Sequence, residues 1–225
     1  MNSFKEKLER GELTASMTVR LVSSVEIVRI AKTAGFDAIY IDLEHSAISI
    51  ETTSQLSVMA LEAGIPALVR VPAAAKCAPL GRRGLSTGLA HLGFRSVPAK
   101  EALPAMNAAT MVIVQLESAA GLAAIEDIVA VDGVDMVLIG TNDFLSDLGR
   151  PGEYDHPKVA QAYERTIAAC KARRKHVGVG GLSSRPDLVQ KYVAMGARFV
   201  STGTDLNFLL AAAMERAKQV RSLKT

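Results

Sequence analysis

The sequence predicts an α/β protein built on a parallel sheet. Short apolar runs rich in β-branched residues recur along the chain, and a helical period follows most of them. No long linker, low-complexity tract or shift in composition interrupts this alternation, which predicts a single domain over residues 1–225. Hydrophobic residues make up 49% of the chain, with no Trp, which suits buried parallel strands covered by Ala-rich helices.

Seven strands are predicted, each from an apolar run bounded by polar or glycine residues. They are TASMTVRLV (14–22), FDAIYIDL (36–43), PALVRV (66–71), TMVIVQLE (110–117), VDMVLIG (134–140), HVGVGG (176–181) and RFVSTGT (198–204). VEIVRIAKTAG precedes the second strand as a helix, and ETTSQLSVMALEAG precedes the third. In HPKVAQAYERTIAACKARRK, Val159, Ala162, Thr166, Ile167 and Cys170 recur at helical spacing, and Pro157 suits a first turn.

Two parallel architectures compete, the (β/α)8 TIM barrel and the open doubly wound sheet. The first strand runs into VSSVEIV rather than a glycine-rich turn, and GVGGLS (178–183) comes late and does not match G-x-G-x-x-G. The barrel is therefore expected. One interval breaks the rhythm: residues 72–109 hold no convincing strand, only AAAKCAPLGRRGLSTGLAHLGF and a helical PAKEALPAMNAA, so seven strands stand where a closed barrel needs eight.

Composition excludes several classes. A net charge of +3 with dispersed Lys and Arg gives no footprint for nucleic acid or a membrane surface. Cys77 and Cys170 are too few for a disulfide framework and lack zinc spacing, so a cytoplasmic location is expected. No apolar h-region opens the chain, and no eighteen-residue apolar stretch occurs, so neither export nor a membrane span is expected. No G-x-S-x-G elbow appears and neither cysteine has an obvious base partner, which disfavours nucleophilic hydrolysis. Every Lys falls in a predicted helix, a terminus or the anomalous interval, which leaves none for Schiff-base chemistry from a barrel strand. Carbonyl chemistry on this scaffold would need a metal as electron sink.

Barrel active sites form at the carboxyl ends of the strands, where several charged residues fall. YIDLEHSAIS crowds Asp42, Glu44 and His45 at the end of the second strand; Arg70 lies in the third, Gln115 and Glu117 end the fourth, and Asn142 and Asp143 follow the fifth. Glu117 and Asp143, about one βα unit apart, would face one barrel mouth as two hard oxygen ligands for Mg2+ or Mn2+, with Co2+ admissible. Capping of the turn DFLSDLG explains Asp143 alone, and an ion pair explains Glu117 alone; the pair at one face favours metal. Arg70 in an apolar strand needs an anion, either Asp42 or Glu44 structurally or a substrate carboxylate or oxyanion chemically. His45 is either a satisfied loop histidine or, beside carboxylates and a metal, a general base. His156 reads as part of a helix start, His176 begins a strand at the opposite end, and His91 lies in the anomalous interval.

Together FDAIYIDLEH, ALVRV, VIVQLES, VDGVDMVLIGTNDFLSDLG and the following HPKV resemble the HpcH/HpaI aldolase family, the metal-dependent class II pyruvate aldolases. The resemblance runs along nearly the whole chain. It implies a (β/α)8 barrel, usually a homo-hexamer, that cleaves 4-hydroxy-2-oxo acids to pyruvate or a close relative plus an aldehyde. By position it makes Glu117 and Asp143 the metal ligands, His45 the base and Arg70 the group that stabilises the enolate. Asp42 joins His45 and Arg70 in the catalytic set, and Gln115 with the Asn142–Asp143 loop would contact the 2-oxo acid. An acyl-CoA lyase of the malyl or citryl type would use a similar site, but no basic cluster commits to CoA phosphates. A non-catalytic barrel subunit is the alternative from another class.

The chain departs from the family pattern after Pro72. ALVRVP runs directly into AAAKCAPLGRRG, in which CAPLGRRG resembles the family's Y-P-P-x-G-x-R-G with Cys77 in the aromatic position. One βα unit, roughly thirty residues, is missing between Pro72 and Ala73, and with it the family's aspartate partner of the catalytic histidine. Loss of an interior strand would expose two sheet edges, which favours a stretch omitted from the sequence over a true deletion. Thr141 and Asn142 stand where many members have Pro-Ala, and Phe144 where they have Leu.

Overall fold

A computed structural model describes residues 3–71, 76–77, 80–82, 84 and 90–223. The chain forms two compact units. One comprises residues 1–15 and 72–201, the other residues 16–71 and 202–225.

In chain order the elements are α1 (Ser3–Glu9), β1 (Thr14–Val19), α2 (Glu26–Thr33), β2 (Ala38–Asp42), α3 (Ile50–Ala63), β3 (Ala67–Arg70) and α4 (Ala99–Ala109). Then follow β4 (Val112–Leu116), α5 (Ala119–Ala123), α6 (Ile125–Ala130), β5 (Val134–Gly140), α7 (Thr141–Asp147) and α8 (Pro157–Ala172). The chain ends with β6 (His176–Gly180), α9 (Pro186–Met195), β7 (Phe199–Thr204) and α10 (Asp205–Arg221). Each of the seven predicted runs contains its strand. DFLSDLG, expected as a turn, lies largely within helix α7, whose amino-terminal cap is Gly140.

The strands form one all-parallel sheet in the order β3-β2-β1-β7-β6-β5-β4. This corrects the expected (β/α)8 TIM barrel, read with one βα unit missing between Pro72 and Ala73. Among the described residues no strand joins β3 to β4, so the sheet is open, with those two strands as its edges. Between Arg70 and Val112 the described residues supply an isolated bridge at Cys77, a 3-10 turn at Ala90–Leu92 and α4. The Asn107 side chain engages the Cys77 backbone reciprocally, accepting from its N–H at 2.7 Å and donating to its carbonyl at 3.1 Å. The junction of Pro72 with Ala73, part of CAPLGRRG and the His91 side chain lie outside the described residues.

In the unit of residues 16–71 and 202–225, Ile39 and Ile41 of β2 alternate with Tyr40 and Asp42, so that the isoleucines face the helices. They pack with Ile27, Val28 and Ala31 of α2 and with Leu56 and Ala60 of α3. Ser49 caps α3 by accepting from the Thr52 N–H, and Gly64 ends it in the left-handed conformation, φ 71°. In register, Asp42 lies directly beside Arg70, so their side chains share a face.

The other unit packs α6, α8 and α9 on β4 to β6 through Leu116, Val137, Ile139, Val177 and Val179. Val159, Ala162, Thr166 and Cys170 of α8 are buried, as the helical spacing predicts. The stacked rings of Tyr163 and Tyr192, 3.7 Å apart, join α8 to α9. On the opposite sheet face, a Cβ at Gly178 would meet Phe199 at 2.7 Å and Leu138 at 2.9 Å; this glycine lets two large side chains close over the strand. No helix among the described residues is long and apolar enough to cross a membrane.

Candidate functional site

The predicted site residues fall in two sets, one in each unit. In the first set, β4 and β5 run side by side with Leu116 paired to Ile139, so each chain leaves the sheet at the same end. Glu117 follows the last residue of β4, and its side chain lies over Gly140. A Cβ at Gly140 would sit 2.8 Å from Glu117 Oε1 and 3.3 Å from Gln115 Nε2. Gln115, expected to touch substrate, donates from Nε2 to Glu117 Oε1 at 2.6 Å and so orients that carboxylate.

Gly140 opens α7, and Asp143 sits in its first turn. Asp143 is not the cap of that helix, because Gly140 holds the cap position without a side-chain bond. It is half-buried, and among the described residues no hydrogen bond or ion pair engages its carboxylate. Two hydroxyls anchor the start of α7. Thr141 Oγ1 meets the buried Tyr163 hydroxyl at 2.8 Å, and Tyr154 donates to Asn142 Oδ1 at 2.9 Å. Burial pushes the Tyr163 hydroxyl well above its ordinary pKa, so it stays a neutral donor or acceptor. Gly181, φ 77°, lets the chain pass against Asn142, whose backbone nitrogen lies 3.1 Å from where a Cβ would be.

Among the described residues no group of three or more His, Cys, Asp or Glu side chains forms a metal cage. Glu117 and Asp143 offer two hard carboxylates where adjacent strands end. Asp143, a half-buried anion without a partner among the described residues, is costly, and a divalent cation that keeps waters in its shell would relieve that cost. The donor set thus fits such an ion.

The second set gathers at the end of β2. Asp42 is buried, with 1% of its side chain exposed. Its Oδ1 accepts from the backbone N–H groups of Glu44 at 3.1 Å and His45 at 3.2 Å, which turns the chain sharply after the strand. Its Oδ2 accepts from Arg20 Nε at 2.8 Å and lies 2.6 Å from Arg20 Nη2. Burial pushes the Asp42 carboxyl up, but the His45 and Glu44 N–H groups and the Arg20 guanidinium outweigh it, leaving the pKa below the ordinary carboxylate value. Asp42 is therefore ionised at neutral pH.

His45 Nδ1 lies 3.3 Å from Asp42 Oδ2 and 3.2 Å from Arg70 Nη1. These contacts demand opposite tautomers, since Nδ1 donates to the carboxylate only when protonated and accepts from the guanidinium only when not. Arg70 also pairs with Glu44, one of the two anions expected for it, Nη2 to Oε2 at 2.5 Å. Sequence reasoning missed Arg20, although an arginine in the apolar run TVRLV carries the same signal as Arg70. It also missed Asp205, a buried carboxylate that accepts from the N–H groups of Arg20, Leu21 and Val22 and holds the loop after β1.

The model of the HpcH/HpaI aldolase/citrate lyase family matches residues 74–212. The chain belongs to that family. It is 31% identical to a 4-hydroxy-4-methyl-2-oxoglutarate aldolase of Chaetomium globosum, over 99% of this chain and 96% of the relative. It is 29% identical to the 4-hydroxy-2-oxo-heptane-1,7-dioate aldolase of Salmonella typhimurium, over 94% of this chain and 92% of that one. An HpcH/HpaI aldolase structure from Desulfitobacterium hafniense superposes with a TM-score of 0.86 at 26% identity, covering 98% of this chain and 97% of that one. A citrate lyase β subunit from Mycobacterium tuberculosis, complexed with oxaloacetate and magnesium, shares the fold at 16% identity and a TM-score of 0.55, over 87% and 92% of the two chains. The Chaetomium alignment spans 258 positions against 225 residues here, an excess of about the size of one βα unit, roughly thirty residues.

Proposed function

We propose that this family member is a divalent-metal-dependent lyase, with residues 1–225 working as one catalytic domain and Glu117 and Asp143 holding the ion, Mg2+ or Mn2+. It cleaves a 4-hydroxy-2-oxo acid, reversibly, to pyruvate or a related 2-oxo acid plus an aldehyde. The observation that carries the metal assignment is the half-buried Asp143 carboxylate, without a partner among the described residues, on the helix opened by the glycine against which Glu117 lies. The relatives named as 4-hydroxy-2-oxo acid aldolases support the substrate class.

When bound, the ion supplies Lewis-acid polarisation of the 2-oxo group. Gln115 holds Glu117 in orientation, and the Asn142–Asp143 segment, pinned through Tyr154 and Tyr163, contributes to binding the 2-oxo acid. His45 takes the proton of the 4-hydroxyl as the C3–C4 bond breaks. With its Nδ1–H donated to Asp42, the lone pair that accepts this proton is on Nε2. Arg20 keeps Asp42 ionised and in place, and Asp42 fixes the tautomer of His45. Arg70, whose charge Glu44 shares, balances the negative charge that develops on the enolate.

The enzyme is also expected to be a cytoplasmic homo-oligomer, a hexamer by family resemblance. Supporting assembly, α10 exposes Leu206, Leu209, Leu210, Met214 and Val220 along its length. The test is pyruvate release from a 4-hydroxy-2-oxo dicarboxylate with Mg2+, with Mn2+ and with chelator. Turnover that appears with metal and stops with chelator is expected. A folded chain that releases no pyruvate with either ion would instead support the non-catalytic alternative.

A further inference from the structure

At the amino-terminal ends of β4, β5 and β6, opposite on those strands to Glu117 and Asp143, lies a cavity of about 860 Å3. Lys171, Arg173, Arg174 and Lys175 reach it from the end of α8 and the turn beyond, Lys5 from α1, and Arg198 from the turn before β7. Against these six cations stand Glu9 and Asp135. Asp135 is already engaged, at 2.9 Å from Lys76 Nζ and 2.8 Å from the Val112 nitrogen. Among the described residues no carboxylate pairs with any of the six. Lys5, Lys175 and Arg198 donate to the backbone carbonyls of Ala108, Val131 and Val193, which fixes their heads without neutralising them.

The dipole of α8 accounts for some basic residues at its carboxyl end. It does not account for Lys5 or Arg198, which arrive from other elements. Nor does it account for Arg174, a non-glycine residue at φ 54° where glycine ordinarily follows a helix. Like charges converging on a concave wall focus a positive potential, and an anion bound there would offset their mutual repulsion. The volume falls within the range of about 300 to 1,000 Å3 usual for small-molecule sites. Met111, Ile167 and Met195 add apolar wall for the body of such a ligand.

We propose that this cavity binds a small multivalent oxyanion, a phosphate or diphosphate ester, at a site distinct from the carboxylates at the other end of the strands. Calorimetric titration of the full chain with pyrophosphate, in metal-free buffer at about 50 and about 200 mM salt, tests it. Lys171→Ala with Arg174→Gly removes two exposed cations, and glycine suits the left-handed backbone, so the variant is expected to melt as the parent does. The parent is expected to bind saturably and more weakly at the higher salt. The double variant should lose at least about tenfold in affinity, while Glu117→Gln with Asp143→Asn should bind as the parent does. Absence of binding by the parent, or binding that depends on Glu117 and Asp143 but not on Lys171 and Arg174, would overturn the assignment.

Discussion

Asp42 and Asp143 both stand where a parallel strand gives out, and their surroundings are opposite. Asp42 is buried under a guanidinium, two backbone N–H groups and an imidazole. Asp143 is half-buried with no partner among the described residues. A carboxylate whose lone pairs are all engaged holds other groups in place; one whose lone pairs are not is poised for something that arrives. On the proposed reading the pair separates positioning from binding, in a way that substitution can break.

The largest effects are expected at the binding end. Asp143→Asn and Glu117→Gln should each lower kcat/KM by about 10^3-fold or more. Asp143→Asn should nonetheless leave urea stability within about 0.5 kcal/mol of the parent or raise it, since it removes an uncompensated charge. A large loss of stability would show that Asp143 has a structural partner. Next, His45→Asn should cost about 10^2 to 10^4-fold in kcat, as loss of a general base does, with metal affinity unmoved.

Gly140→Ala probes the carboxylate lip by shape alone, because φ −84° suits alanine while the new Cβ would meet Glu117 Oε1 at 2.8 Å. A fall of about 10 to 100-fold in activity with an unchanged melting temperature is expected. Full activity would mean that Glu117 can turn aside at no cost.

Asp42→Asn should lower kcat, because the tautomer of His45 is no longer fixed. It should also cost about 2 to 3 kcal/mol of stability at pH 7, because it leaves Arg20 against a buried neutral group. The folded pKa of Asp42 lies below its unfolded value. Its contribution is thus fully present above the ordinary carboxylate pKa of about 3.9 and is lost as pH falls through the lower, folded one. Denaturation of parent and variant should differ at pH 7 and converge in strong acid. A gap that persists there would assign the effect to packing.

Much of this fold is legible in the sequence because the signals are local. Alternation marks Ile39 and Ile41, helical spacing marks Val159, Ala162 and Cys170, and each strand was expected close to where it lies. Strand pairing is not legible from periodicity, and the barrel expected from the alternation gives way to an open sheet; its edges at β3 and β4 flank the interval after Pro72, where the strand count already falls one short. The carboxylates and His45 were marked by position at strand ends. Asp205 was not, because its partners at Arg20 to Val22 lie more than 180 residues away in sequence. The basic cavity was invisible for the same reason, since KARRK looks like a solvated helix end until Lys5 and Arg198 join it.

Binding of Mn2+ followed by electron paramagnetic resonance, in the parent and in Asp143→Asn, tests the central assignment most directly. Saturable uptake of Mn2+ by the parent, largely lost in the variant while the thermal melt is kept, is the expected result. Equal uptake by both proteins would place the ion elsewhere and remove the electrophile from the proposed carbon–carbon cleavage.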